Sequence, residues 1–141
     1  MASTDPSCLF CRIVAGTEPA FVVLDDEVAM AFLDVRHLFP GHTLLVPRDH
    51  HETLVDLPPA LVDPLFSRAQ RLAAAMEGEL GAAGSFVAMN NRISQSVPHL
   101  HVHVVPRNPK DGLKGFFWPR TKYASAEEAT GMAARLRGAL G

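Results

Sequence analysis

The period of the apolar positions changes several times along this chain. Phe21-Val22-Val23-Leu24 and Val28-Ala29-Met30-Ala31-Phe32-Leu33 flank Asp25-Asp26-Glu27, which predicts a β-hairpin. A turn at Phe39-Pro40-Gly41 leads into a strand over 42–46 that Pro47 stops. From 57 to 80 the period becomes helical, with Leu61, Leu65, Leu72, Met76 and Leu80 on one face. Pro64 inside that stretch predicts either a new helix capped by Asp63 with proline at its first position, or a kink in one long helix. Strands return at 85–89 and 99–105, the second closed by Pro106. Ser125-Ala126-Glu127-Glu128 is a capping-box sequence opening a last helix over 125–140, apolar at Ala129, Met132, Ala133, Leu136 and Leu140. Near the start, 9–14 predicts a short helical turn ended by Gly16, and 1–7 a flexible, frayed tail. Strands and helices mix without βαβ alternation and the strand pairs read as antiparallel, so the expected fold class is α+β.

Composition narrows the picture. A chain of 141 residues suits one domain, and 48% hydrophobic residues suffice to bury a core. A formal net charge of -2 argues against binding long nucleic acid by charge alone, while leaving room for a local anion site. The first residues lack the basic and apolar regions of a signal peptide, and no apolar run approaches the roughly 18 residues of a membrane span. The expectation is a cytoplasmic protein with no membrane partner. Cys8 and Cys11 are spaced C-x-x-C, which in a reducing compartment favours metal binding or redox work over a structural disulfide.

The informative segment is Pro98-His99-Leu100-His101-Val102-His103-Val104-Val105-Pro106. Side chains alternate across a strand, so His99, His101 and His103 share one face, about 6.6–7 Å apart, and Leu100, Val102 and Val104 share the other. Three imidazoles in a row are poor core material, because each has polar nitrogens to satisfy. Neutral imidazole is a good nucleophile toward phosphorus, and a hydrogen bond to its second nitrogen fixes the tautomer and aims the lone pair. A neighbouring histidine can stabilise phosphate oxygens or protonate a leaving group. The same residues on a strand also suit zinc ligation. From the spacing alone a nucleophile with helpers, a metal site and an accidental polar face all stay open.

The segment His99-Leu100-His101-Val102-His103-Val104-Val105 resembles the signature of the histidine triad superfamily. The resemblance extends over roughly 8–107. Cys8-Leu9-Phe10-Cys11-Arg12-Ile13-Val14-Ala15-Gly16 is similar to that family's opening, Ala31-Phe32-Leu33-Asp34-Val35 to its A-F-x-D-I segment, and Gly41-His42-Thr43-Leu44-Leu45-Val46-Pro47 with His50 to G-H-x-L-V-I-P-x-x-H. Gln95-Ser96-Val97 fits as well. The likeness is greatest to the Hint-like and bacterial Hit branch, and 101–107 also resembles the fragile-histidine-triad branch.

The resemblance implies one domain with an antiparallel sheet and flanking helices, usually a homodimer acting on a purine nucleotide. It implies attack by His101 on the α-phosphorus, a nucleotidyl-histidine intermediate, and release of a nucleoside monophosphate by water. His103 and His42 would contact phosphate oxygens and support the leaving group, the carbonyl of His99 would hold the second nitrogen of His101, and Ser96 and Gln95 would lie near the phosphate. Asp34 would accept from the ribose, Phe10, Ile13, Phe32 and Val35 would wall the base, and Asn91 would sit on the phosphate or ribose side. Residue type alone gives these four apolar residues to an ordinary core, and Asp34 equally to a strand-end turn. In zinc-bearing bacterial relatives the matching set is Cys8, Cys11, His50 (or His51) and His99, a closed structural Cys2His2 site that leaves the chemical step metal-free.

The expected activity is therefore a nucleotide hydrolase, acting on nucleoside phosphoramidates or dinucleoside polyphosphates. A nucleotide-binding scaffold is the alternative from another class. A nucleotidyl transferase is a third, disfavoured because relatives of that kind carry glutamine where His101 stands. The variable loop over 107–122 mixes bases with Phe116-Phe117-Trp118. Either it covers the site, with Lys110, Lys114 and Arg120 on a polyphosphate and Trp118 on a second base, or its aromatics bury against a dimer partner.

Overall fold

In the computed structural model, which describes residues 4–114 and 120–141, one carboxylate holds the first hairpin. Asp26 accepts from the amides of Val28 and Ala29, both at 3.0 Å, so the chain reverses between β1 (Val22–Asp25) and β2 (Ala29–Leu33). The remaining strands are β3 (Thr43–Pro47), β4 (Gly84–Ala88) and β5 (Val102–Arg107). All pair antiparallel in the order β1-β2-β3-β5-β4. Helix α1 (Leu9–Ala15) precedes the sheet, α2 (Pro59–Leu80) joins β3 to β4 after one 3-10 turn at Leu54–Asp56, and α3 (Ala126–Leu140) is the last element. This is the expected α+β arrangement.

The alternation of the strands explains how both faces of the sheet are covered. Ala29, Ala31, Leu45, Val102 and Val104 pack with Leu65, Ala69, Leu72 and Met76 of α2. Their neighbours Met30, Phe32, Leu44 and Val46 pack with Cys8, Phe10, Cys11 and Ile13. The histidine face of the segment before and along β5 is the α1 face.

Several expectations change. α2 is one helix running through Pro64, not a second helix opening at Asp63. Near the start of a helix proline removes a single amide donor, and its own carbonyl accepts from Ser67 Oγ at 2.9 Å and Arg68 Nη1 at 2.7 Å. Leu80, expected on the buried face, is exposed at the last turn, where Gly81 caps the helix. β5 continues through Pro106 to Arg107, because β3 ends its pairing at Val104 and no bond from residue 106 is needed on that side. Residues 5–8 form a bonded turn, not a frayed tail. Cys8 N donates to the Asp5 carbonyl at 2.9 Å, and Ser7 donates twice to the Asp5 carboxylate.

The chain divides into two compact units, Met1–Asp111 and Gly112–Gly141, and every strand lies in the first. In the second, Ser125 Oγ accepts from Glu128 N at 3.1 Å and so caps α3, none of whose residues is buried. Phe116, Phe117 and Trp118, expected either to cover the site or to bury against a dimer partner, lie outside the described residues. No described helix is long and apolar enough to cross a membrane.

Candidate active site

The approach to β5 is irregular, and a proline causes it. The register pairs Leu45 with Val102, which sets Pro47 opposite Leu100. Pro47 has no amide hydrogen to give, and its carbonyl is taken by the ring of His99 at 2.9 Å. Leu100 N donates instead to the carbonyl of His51 at 2.7 Å. The ladder therefore starts at Val102, leaving His99 and His101 just before it.

The three histidines then have three different surroundings. The His101 Nδ1–H donates to the carbonyl of His99 at 2.8 Å, which leaves the lone pair on Nε2. Phe10 meets this ring edge-on, with centroids 5.1 Å apart. His103 Nδ1 lies 2.9 Å from His42 Nε2. His42 Nδ1 accepts from Leu38 N at 3.0 Å, so on neutral His42 the proton is on Nε2 and goes to His103. His103 then carries its own hydrogen on Nε2. Burial holds both rings neutral: His103 is pushed down to about 4, aided by its His101 and His42 neighbours, and His42 is lowered too, against the pull of Asp34. His42 is itself buried behind His103 and is not among the residues lining the cleft.

Asp34, His42 and His103 bring three ligand atoms within 4.8 Å of one another. Ligation there would need a bare Nε2 on His42. That means an imidazolate, since Nδ1 already accepts an amide hydrogen, and the hydrogen-bonded reading is the stable one.

The ring of His99 lies among the cysteines of the α1 end. Its Nδ1 lies 3.5 Å from both Cys8 Sγ and Cys11 Sγ, and Cys11 Sγ lies 3.2 Å from His50 Nδ1. All four ligand atoms fall within 4.8 Å of one another. The start of α1 supplies both sulfurs: Cys8 caps the helix, its Sγ accepting from Cys11 N at 3.4 Å, and Cys11 lies in the first turn. Burial lowers His99 to about 4 and raises Cys11 to about 11. His51, the alternative to His50, stands outside this cluster, and its Nε2 is buried with no partner among the described residues.

A cleft of about 670 Å³ opens in front of His101 and His103. Phe10, Ile13, Phe32, Asp34, Val35 and Ser96 of the expected residues line it. Phe10, Ile13 and Phe32 are also core residues, because α1 lies over the sheet and forms the cleft wall with the same side chains that seal its base. Asp34 accepts from Arg36 N at 2.9 Å, which aims its carboxylate at a turn while Oδ2 stays 3.6 Å from His42 Nε2. Gln95 and Asn91 are not cleft-lining residues. Gln95 Nε2 donates to the Glu52 carbonyl at 2.7 Å and its Oε1 accepts from Arg92 N at 2.8 Å. Asn91 Oδ1 accepts from Leu54 N at 2.7 Å. Together they fasten a loop in which Arg92 and Ser94 have φ of 71 and 59, and that loop delivers Ser96. The sequence reasoning missed Glu18 and Arg36, which also line the cleft. Arg36 follows Asp34-Val35 closely enough to have been suspected, whereas nothing local marks Glu18.

The HIT domain family model matches residues 15–110 of this sequence. The chain belongs to the HIT family. Over 114 residues it is 35% identical to Protein hit of Bacillus subtilis, covering 79% of each chain. It is 33% identical over 114 residues to the adenosine 5'-monophosphoramidase of Saccharomyces cerevisiae, covering 79% of this chain and 70% of that one. Among solved structures it is similar to a zinc-bound histidine triad family protein from Mycobacterium smegmatis, with 37% identity, a TM-score of 0.73, and 94% and 97% of the two chains covered. The triad of this HIT chain is thus split in use: His99 belongs to the cysteine cluster, and His101 and His103 face the cleft.

Proposed function

We propose that this HIT protein is a nucleotide hydrolase that cleaves at the α-phosphorus of nucleoside phosphoramidates or dinucleoside polyphosphates through a nucleotidyl-His101 intermediate. One observation carries the reading: the Nδ1 bond to the His99 carbonyl leaves His101 Nε2 with its lone pair, beside a cleft walled for a base. The phosphoramidase activity in the name of the yeast relative supports the same reaction class. Nε2 bonds to phosphorus as the bond from phosphorus to the leaving nitrogen or oxygen breaks, and the departing atom takes up a proton from water. The imidazolium that forms keeps its Nδ1–H on the His99 carbonyl. Water then attacks phosphorus, the P–Nε2 bond breaks, one proton is released, and nucleoside monophosphate leaves. His103 offers Nε2–H to a phosphate oxygen without carrying charge, and Ser96 offers its hydroxyl from the facing loop. His42 acts behind His103. Asp34 takes the ribose hydroxyls, and Phe10, Ile13, Phe32 and Val35 enclose the base. Gln95 and Asn91 act by holding the loop of Ser96.

Cys8, Cys11, His50 and His99 have the donor set for zinc. The two 3.5 Å sulfur–nitrogen separations to His99 match the ~3.6 Å edge of a tetrahedron built with usual zinc bond lengths, and the 3.2 Å separation of Cys11 and His50 is a few tenths of an ångström shorter. The Nε2–H of His99 donates to the Pro47 carbonyl, the outer bond that metal-ligating histidines commonly make. The ion would supply no chemistry to the reaction; it would tie α1, and with it Phe10, to the segment carrying His101. The HIT likeness also implies a homodimer. Val55 and Ile93, 87% and 81% exposed, stand on segments joined by the Asn91 to Leu54 bond, and a second copy would cover them. We read the whole chain as one HIT domain, with 107–122 as a variable loop and 125–140 as its terminal helix.

Rapid quench with an α-labelled adenosine phosphoramidate, followed by peptide mass analysis, tests the mechanism. Label is expected on His101, and His101→Ala should lose at least about a thousandfold in kcat with an unchanged circular dichroism spectrum. Label on another residue, or turnover by His101→Ala near the wild-type rate, refutes it. Turnover fully dependent on an added metal would favour the reading in which the triad ligates.

A further inference from the structure

The floor of the cleft runs across the sheet, and its lining includes two charges that the phosphate chemistry does not use. The register sets His103 opposite Leu44, Leu44 opposite Phe32, and Phe32 opposite Val22. Three strand spacings, about 14 Å, separate the ends of that row. This inference rests on the nucleotide reading above: with phosphorus at His101, the base lies over Phe32 toward the β1 end. The chain between α1 and β1 sets Glu18 against the cleft, and Arg36, whose amide donates to Asp34, lines the same cleft. Glu18 is 3.7 Å from Arg12, and the two side chains are 40% and 37% exposed. An exposed, long ion pair of this kind holds little energy, so the carboxylate can accept from a ligand. Among the described residues Arg36 has no acidic side chain within ion-pair distance.

We propose that Glu18 reads the Watson–Crick edge of the base and makes this a guanine-preferring site, with Arg36 supplying a donor for the O6 of the same base. An ionised carboxylate is acceptor-only. Guanine presents N1–H and N2–H side by side, two donors for its two oxygens. Adenine presents one amino donor next to a bare N1, whose lone pair faces the negative charge. Hypoxanthine keeps N1–H and loses the amino group, so it ranks between them.

Isothermal titration calorimetry with GMP, IMP and AMP tests this without turnover. The wild-type protein should bind GMP about tenfold more tightly than AMP, with IMP between, a difference ordinary for a paired base-edge contact. Glu18→Gln keeps the size but puts a donor where an acceptor stood, and should bring GMP and AMP within about twofold of each other. AMP binding as tightly as GMP, a GMP-to-AMP ratio unchanged in Glu18→Gln, or no binding of either nucleotide overturns the proposal. A protein that prefers GMP but forms no nucleotidyl-His101 would refute the hydrolase mechanism and leave this assignment standing.

Discussion

At His103, burial and a fixed hydrogen-bond partner act in the same direction. Desolvation favours the neutral ring, and the hydrogen donated by His42 occupies the nitrogen a second proton would need. The folded protein therefore keeps His103 neutral down to about pH 4, while the unfolded chain takes up a proton near the ordinary value of about 6.5. Stability from this group is complete above that ordinary value and is lost as pH falls toward about 4. NMR titration of the ring is expected to give a midpoint near 4, with Tm falling on acidification through the same window; a midpoint near the ordinary value would contradict the arrangement. His42→Ala removes the donor to His103 Nδ1 and frees both tautomers. We expect kcat to fall by roughly ten- to a hundredfold with little change in KM, measured on one substrate under saturating conditions. The alternation of the segment and its likeness to a known motif were enough to single out His42, His101 and His103 as candidates for the chemistry we propose. The place of His42 behind His103 was not legible, because the Leu38 amide meets its ring only after the turn at 38–41 closes.

Among the elements, the turn into β3 is the most constrained. Gly41 has φ of +99, a backbone conformation that costs a residue with a Cβ on the order of 1–3 kcal/mol. A Cβ there would also come within 2.8 Å of Leu80 Cδ1 and 3.4 Å of Pro106 Cγ. Gly41→Ala is expected to destabilise the protein by about 1–3 kcal/mol in urea unfolding, most of it from the backbone, since the Leu80 methyl can swing away. A loss under a few tenths would mean the turn is not held in this conformation. Because His42 follows directly, the same variant should lose activity beyond its loss of stability. The hairpin, a strand near 42–46 and a helical stretch over 57–80 were readable from periodicity and turn residues, while the continuity of that helix through Pro64 and the extension of β3 to Pro47 were not. The start of the β5 ladder at Val102 was not readable either, since it depends on which residues of β3 the register brings up to it, with Pro47 two positions past the last pair.

For the molecule as a whole, the Cys2His2 cluster joins the first helix to the segment that carries His101 across most of the sequence. His99 takes part twice, by its ring among the sulfurs and by its carbonyl on His101. Metal analysis of the purified protein is expected to find about one zinc per chain, as a closed four-ligand site requires. Cys8→Ser should lose it and lower Tm, and a strong chelator should do the same to the wild type. A metal-free protein with an unchanged melting curve after chelation would show that the thiols and imidazoles hold one another unaided. Sedimentation at several concentrations tests the homodimer, and a monomer throughout the micromolar range would remove it.

The sequence alone settled which residues are capable of chemistry and which local elements carry them, because periodicity, prolines and glycines act over a few neighbouring positions. Only the tertiary structure decided their division of labour. Pairing register put one histidine of the triad among cysteines, aimed the next at the cleft and backed the third with His42. The chain before β1 and the chain after β2 also bring Glu18 and Arg36 to the lining of the same cleft. Those are contacts between segments far apart in the chain, and no local pattern encodes them.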